Sequence, residues 1–203
     1  MEDAKANLRL LASVAGAPQP QLGAFGVGAG MDIQPATNDD LDRILEINNA
    51  AGPHVNPLSR EQLIGLVRQA VVFRKACGDS GIAGFLLAFD HRAVYTSENY
   101  QWFVGNFDRF VYVDRIAVKK EFRGCGVGKA LYRDLFLETL RLNHNQVTCE
   151  VNLDPPNPAS LQFHVKLGFE EVAQLRHVRD EKVVSLLILR MGKGALNRAP
   201  AAD

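Results

Sequence analysis

The chain has 203 residues, 47% of them hydrophobic, and its 23 basic residues balance 23 acidic ones. That excludes a disordered chain, which needs fewer apolar residues and more net charge. It also leaves no cationic excess with which a general nucleic-acid binder would neutralise phosphates. The longest apolar run, residues 82–89, falls well short of the ~20 residues of a spanning helix, so no membrane association is expected. At roughly 100–200 residues per domain, one domain with tails is expected. Cys77, Cys125 and Cys149 are odd in number, far apart and form no CxxC, which points to reduced thiols in a cytoplasmic protein. His54, His91, His144 and His177 show no metal-ligand spacing, so no metal is expected.

Residues 1–30 are rich in Ala, Gly, Pro and Gln and end in a run of alternating glycines. Too few apolar side chains are present there to offset the backbone entropy, so a disordered extension is expected. The first charges are Glu2 and Asp3, and Arg9 breaks the apolar patch 8–14, which argues against a secretory leader. Met31 stands just before the structured pattern and is a candidate start; N-terminal sequencing that found Met1 would exclude this.

Regular punctuation begins at Asp32. A short extended segment holds Ile33 and ends at Pro35. Thr37 and Asp40 have capping-box spacing, and Leu41, Ile44, Leu45 and Ala51 follow at helical intervals. Pro53 and Pro57 break the chain. Ser59 with Gln62 caps a second helix that carries Leu63, Leu66, Val67 and Ala70 on one face. Residues 71–77 and 82–89 read as a hairpin about Gly78-Asp-Ser-Gly81. Residues 90–108 read as a long loop with Tyr95, Tyr100, Trp102, Phe103 and Phe107. A strand over 110–118, a glycine-rich turn and a helix to about Leu142 come next. A strand over 147–151, a proline-rich loop and a short helix closed by Gly168 follow. Strands over 169–175 and 182–189, joined through Arg179-Asp180, complete a domain expected over 31–191, with a frayed tail over 192–203. Strands and helices in this order give an α/β domain with a mixed sheet.

The joint between the strand ending at Val118 and the helix starting near Gly126 carries the chemistry. Gly124, Gly126 and Gly128 allow close backbone approach, and amides at a helix start favour an anion. Arg123 and Lys129 add positive charge. Together these features make a phosphate or pyrophosphate cradle. A P-loop fails, because Arg123 stands where its first glycine belongs and Ala130 replaces the hydroxyl. A dinucleotide fingerprint from Gly124 fails at Lys129. What fits is Arg-x-x-Gly-x-Gly, as Arg123, Gly126 and Gly128.

This segment resembles the signature of the Gcn5-related N-acetyltransferases (GNAT). Asn157, Ser160, Gly168 and Phe169 match a second pattern of that family, with Leu161 and Phe163 between them. The resemblance spans about 33–189 and is strongest over 110–172. It implies the GNAT fold: a mixed, mostly antiparallel sheet of six to seven strands flanked by four helices. It implies an N-acetyltransferase that uses acetyl-CoA as cosubstrate and passes the acetyl group to a primary amine by direct attack. It implies coenzyme A held by Arg123, Gly124, Cys125, Gly126, Val127, Gly128 and Lys129, with Asn157, and a pantetheine arm paired to Ile116, Ala117 and Val118. Where the family commonly has a tyrosine that protonates the leaving thiolate, this chain has His164, which in neutral form could donate through one ring nitrogen. Asp114 is the candidate base and Glu150, on the next strand, the reserve. The alternatives are a non-catalytic acyl-CoA-binding or sensing module, and a nucleotide-phosphate binder that the failed spacings disfavour. The amine acceptor is unreadable from sequence, and a homodimer stays open.

Overall fold

The computed structural model describes residues 31–177 and 181–192. The expected N-terminal extension, the tail from 193 and the turn at Arg179-Asp180 lie outside the described residues.

Among the described residues seven strands occur in the expected chain order: β1 (Asp32–Pro35), β2 (Val72–Gly78), β3 (Gly81–Asp90), β4 (Val111–Val118), β5 (Gln146–Asp154), β6 (Glu170–Arg176) and β7 (Val183–Arg190). They form one sheet of order β1-β2-β3-β4-β5-β7-β6. Every neighbouring pair is antiparallel except β4 and β5, which are parallel. The helices are α1 (Leu41–Asn49), α2 (Arg60–Val67), α3 (Glu98–Asn106), α4 (Val127–Arg141) and α5 (Pro158–Leu167).

β3 explains why both faces are covered. Its eight-residue apolar run has no polar side. Ala83, Leu86 and Ala88 join the core under α4, and Phe85, Leu87 and Phe89 join the core under α1 to α3. A strand buried on both faces reads as a continuous hydrophobic run. α4 answers from one side with Leu131, Tyr132, Leu135 and Phe136, spaced for one helical face. α2 starts at the expected Ser59–Gln62 capping box, in which the Ser59 hydroxyl accepts from the Gln62 amide.

The expected loop over 90–108 is corrected in its second half. Residues 98–106 form α3, giving five helices among the described residues rather than four. The segment Asn99-Tyr-Gln-Trp-Phe-Val-Gly has poor helix formers and a glycine. Tertiary packing overrides that preference. Tyr100 and Phe103, three apart, are fully buried among Phe89, Phe110 and Tyr112, and the Tyr100 hydroxyl donates to the Asp90 carbonyl at 2.8 Å.

Gly84 on β3 packs tightly against the backbone of β4. A Cβ there would sit 2.7 Å from the Ala117 carbonyl oxygen and 3.2 Å from Val118 Cα. Both are backbone atoms that can yield only by moving a strand. We therefore expect Gly84→Ala to destabilise the protein by about 1–3 kcal/mol, the usual cost of overpacking a core. Chemical denaturation measures it, and an unchanged midpoint would show that the two strands are free to part.

Candidate active site

A bulge in β4 sets the site. Ala88 faces Val113 and Leu87 faces Arg115, so Asp114 has no residue opposite it on β3. An inserted residue bends the strand and increases its twist. On a regular strand neighbouring side chains point to opposite faces. Here Arg115 Nε donates to Asp114 Oδ2 at 2.7 Å, with the two side chains 8% and 3% exposed. Arg115 also donates to Asn48 Oδ1 on α1 at 2.9 Å.

On its other side β4 pairs with β5 only at Val111–Val147 and Tyr112–Thr148. Beyond that point the strands diverge, and the β4 edge from residue 113 onward has no strand partner among the described residues. A cavity of about 480 Å³ fills the gap. Asp114 and Ile116 line one wall and Glu150 and Asn152 the other. Tyr132, Asn157 and His164 lie toward α4 and α5. Tyr95, Asn99 and His177 close the opposite end.

The alternation of β5 divides the cavity chemically. Cys149 and Val151 belong to the core beneath α4. Glu150 points the other way, toward Tyr112, whose hydroxyl donates to Glu150 Oε2 at 2.7 Å. Burial pushes the Glu150 carboxyl up to about 7; Asp114 adds to the rise, while hydrogen bonds from Tyr112 and Asn99 oppose it. Burial likewise pushes the Tyr112 hydroxyl well above its ordinary value, so it remains a proton donor to the carboxylate. A carboxyl near 7 is suited to exchange protons at neutral pH.

On the α4 side, His164 is 4% exposed. Its Nδ1 lies 2.8 Å from the Ser160 carbonyl, which can only accept, so Nδ1 carries the hydrogen. Nε2 then accepts from the Tyr132 hydroxyl at 2.7 Å. Tyr132 also hydrogen-bonds Cys149, whose thiol burial keeps protonated. His164 thus spends its one N–H on Ser160. The geometry gives it the work of holding Tyr132, where the sequence had suggested a proton donor.

The glycine-rich turn follows β4 directly. Gly124 and Gly126 have φ of +79° and +86°, a region side chains disfavour. α4 begins at Val127, so the amides of Val127, Gly128 and Lys129 have no acceptor within the helix. A Cβ at Gly124 would meet nothing within 4 Å, whereas one at Gly128 would come within 3.1 Å of the Phe163 ring on α5. Gly124 therefore leaves room for a ligand, and Gly128 serves the packing of α4 against α5. Arg123 Nε donates to the Val118 carbonyl at 3.3 Å, and Cys125 is exposed.

The protein-family description "Acetyltransferase (GNAT) family" matches residues 42–169. The chain belongs to the GNAT acetyltransferase family. Among solved structures its fold resembles Ard1 from Thermoplasma volcanium, at 18% identity and a TM-score of 0.67, over 81% of this chain and 100% of that one. It also resembles the ribosomal-protein-S18-alanine N-acetyltransferase from Escherichia coli, at 17% identity and 0.62, over 80% and 94%. A third is yncA, a putative acetyltransferase from Salmonella typhimurium with its cofactor acetyl-CoA, at 19% identity and 0.61, over 86% and 99%. No curated protein matches the chain.

In this GNAT chain the sequence-derived site residues fall into four places. Asp114, Ile116, Asn157 and His164 line the cavity. Val118 and Arg123 line a second hollow of about 270 Å³ beside α1, together with Lys119 and Lys120. Residues 124–129, the turn and the first residues of α4, line neither. Ala117 turns its side chain into the core under α1 to α3. Asn157 caps α5, its Oδ1 accepting from the Ser160 amide at 3.2 Å.

Sequence reasoning missed Tyr132, Asn99 and His177, which sit in a helix interior, the unrecognised α3 and a strand end. It also missed that Asp90, His91 and His144 place potential ligand atoms within 4.8 Å of one another. None of the three lines the cavity, and Arg92 already engages both Asp90 oxygens. His164→Leu should cost about 1–3 kcal/mol, because it strips a buried hydroxyl of its acceptor. Thermal denaturation tests this, and a melting temperature equal to wild type would mean that Tyr132 finds another partner.

Proposed function

We propose that the protein is an acetyl-CoA-dependent N-acetyltransferase acting on a primary amine, with Glu150 as the base. The observation that carries this reading is one buried carboxyl, poised near neutral pH, facing an open strand edge across a gap.

The residues present fit coenzyme A. The two positive-φ glycines and the first amides of α4 suit a pyrophosphate, Arg123 and Lys129 add charge, and the unpaired edge of β4 at Ile116 to Val118 suits an extended amide-bearing arm. Bound there, acetyl-CoA would supply the thioester to be attacked. An amine must be unprotonated to attack, so a proton has to leave it. Glu150 is read as the group that takes that proton. Asp114 is read instead as the ionised partner of Arg115, which fixes the bulge and whose charge helps raise the Glu150 carboxyl. His164 is read as the residue that fixes Tyr132. Removing one member of a buried ion pair strands the other, so Asp114→Asn perturbs shape more than proton transfer.

A non-catalytic acyl-CoA-binding module is the rival reading. It shares the cradle but gives no role to a tuned carboxyl beside the gap.

The sign of the pH dependence follows from the role. Glu150 must be ionised to accept a proton, so kcat should rise through about pH 7 and fall below it. Glu150→Gln should reduce kcat by roughly 10²–10⁴-fold, the usual worth of a positioned acid–base group, and remove that acid limb. Acetylation of a panel of small amines and peptides, followed by thiol release, reads both. Wild-type rates in the variant would remove Glu150 as the base, whereas no turnover with any acceptor would favour the binding module. Separately, Gly126→Glu should abolish acetyl-CoA binding in calorimetry, since a left-handed position would gain a bulky anion beside the pyrophosphate. Unchanged affinity would remove the cradle.

A further inference from the structure

Asn99 is 6% exposed and stands between two titratable groups from distant parts of the chain. Its Oδ1 lies 2.8 Å from His177 Nε2, and its side chain also hydrogen-bonds Glu150. An amide oxygen can only accept, so His177 Nε2 carries a hydrogen, and the amide nitrogen is the end left to donate to Glu150. On the far side of the imidazole, Nδ1 lies 3.5 Å from Glu98. The order is Glu98, His177, Asn99, Glu150, running from the half-exposed mouth of the cavity to its buried carboxyl.

The amide has two faces and only one correct way round. With hydrogen on His177 Nε2, it accepts from histidine and donates to Glu150, which suits a carboxylate. Were Nε2 bare, the amide would have to turn over. Its oxygen would then face Glu150, which could satisfy it only as the neutral acid. The state of the histidine and the charge on the carboxyl are therefore linked through a single side chain that must choose. We propose that Asn99 and His177 act as a positioning relay that holds Glu150 ionised, with the ε-hydrogen of His177 as its lock.

Other groups act on the same carboxyl. From β4, Tyr112 donates to it and Asp114 repels its charge. Tyr95, itself bonded to Asp114, lies nearby, as do Cys149 on β5 and Tyr132 on α4. On the histidine side, Lys182 lines the same cavity, and its carbonyl accepts from the His177 amide at 2.8 Å. None of these contacts orients the Asn99 amide, which is what separates the relay from general electrostatics.

The proposal deepens the reading of Glu150 as the base, but its test does not need turnover. Protein labelled with ¹³C at the glutamate carboxyls is titrated by NMR, with Glu150→Gln assigning the signal. His177→Leu should move the Glu150 midpoint up by about one pH unit, the scale expected when a hydrogen bond to a charged group is lost. His177→Gln, which keeps an N–H, should restore it. Asn99→Leu should raise the midpoint at least as far, and adding His177→Leu to it should then change nothing more. Should Asn99→Leu fail to fold, the His177 pair decides alone. An unmoved midpoint in His177→Leu overturns the relay. So does an equal shift with and without Asn99, which would be direct electrostatics. Where turnover is found, the acid limb of kcat should move in parallel; where it is not, the NMR midpoints still decide.

Discussion

The one residue of β4 that has no partner on β3 is the constraint on which the site depends. Because Asp114 is inserted, β4 bends away from β5 after two paired positions, and a cavity opens where a parallel ladder would otherwise continue. The same insertion lets Asp114 and Arg115 meet as neighbours in a buried ion pair anchored to α1 through Asn48. A buried pair of this kind contributes little net stability, since desolvation offsets attraction. Its value here is geometric: it makes the bent course of the strand the one in which both charges are satisfied.

The gap has two chemically different ends because β5 alternates. On the α4 side, Cys149, Tyr132, His164 and the Ser160 carbonyl form a closed chain in which each hydrogen has an acceptor. A satisfied buried network rigidifies what it joins, here the helix after the glycine turn and the helix after β5. On the α3 side, Glu150 accepts from Tyr112 and Asn99 but sits deep enough to hold its proton near neutral pH. In the proposed reading one end holds a ligand still and the other takes up a proton.

Much of this was legible in the sequence, for physical reasons. The glycine turn showed because left-handed backbone at Gly124 and Gly126 demands glycine, and glycine spacing is visible in a string of letters. The strands of the sheet showed through apolar runs and turn residues. α3 did not, because Tyr100 and Phe103 gain their helix from burial among aromatics that come from elsewhere in the chain. Hydrogen-bond direction was invisible too. The letters place His164 beside the site, but only its distance to the Ser160 carbonyl shows where its proton is spent. Asn99 and His177, 78 positions apart, are brought together by α3 and the end of β6.

The proposed activity requires acetyl-CoA to lie along the open edge of β4 with its phosphates on the glycine turn. Backbone amide chemical shifts during an acetyl-CoA titration test this directly. The amides of Ile116 to Val118 and Gly124 to Lys129 should move together and saturate, while those of β1 and β6 stay fixed. Saturable binding that leaves both segments unmoved, or no binding at all, would contradict it.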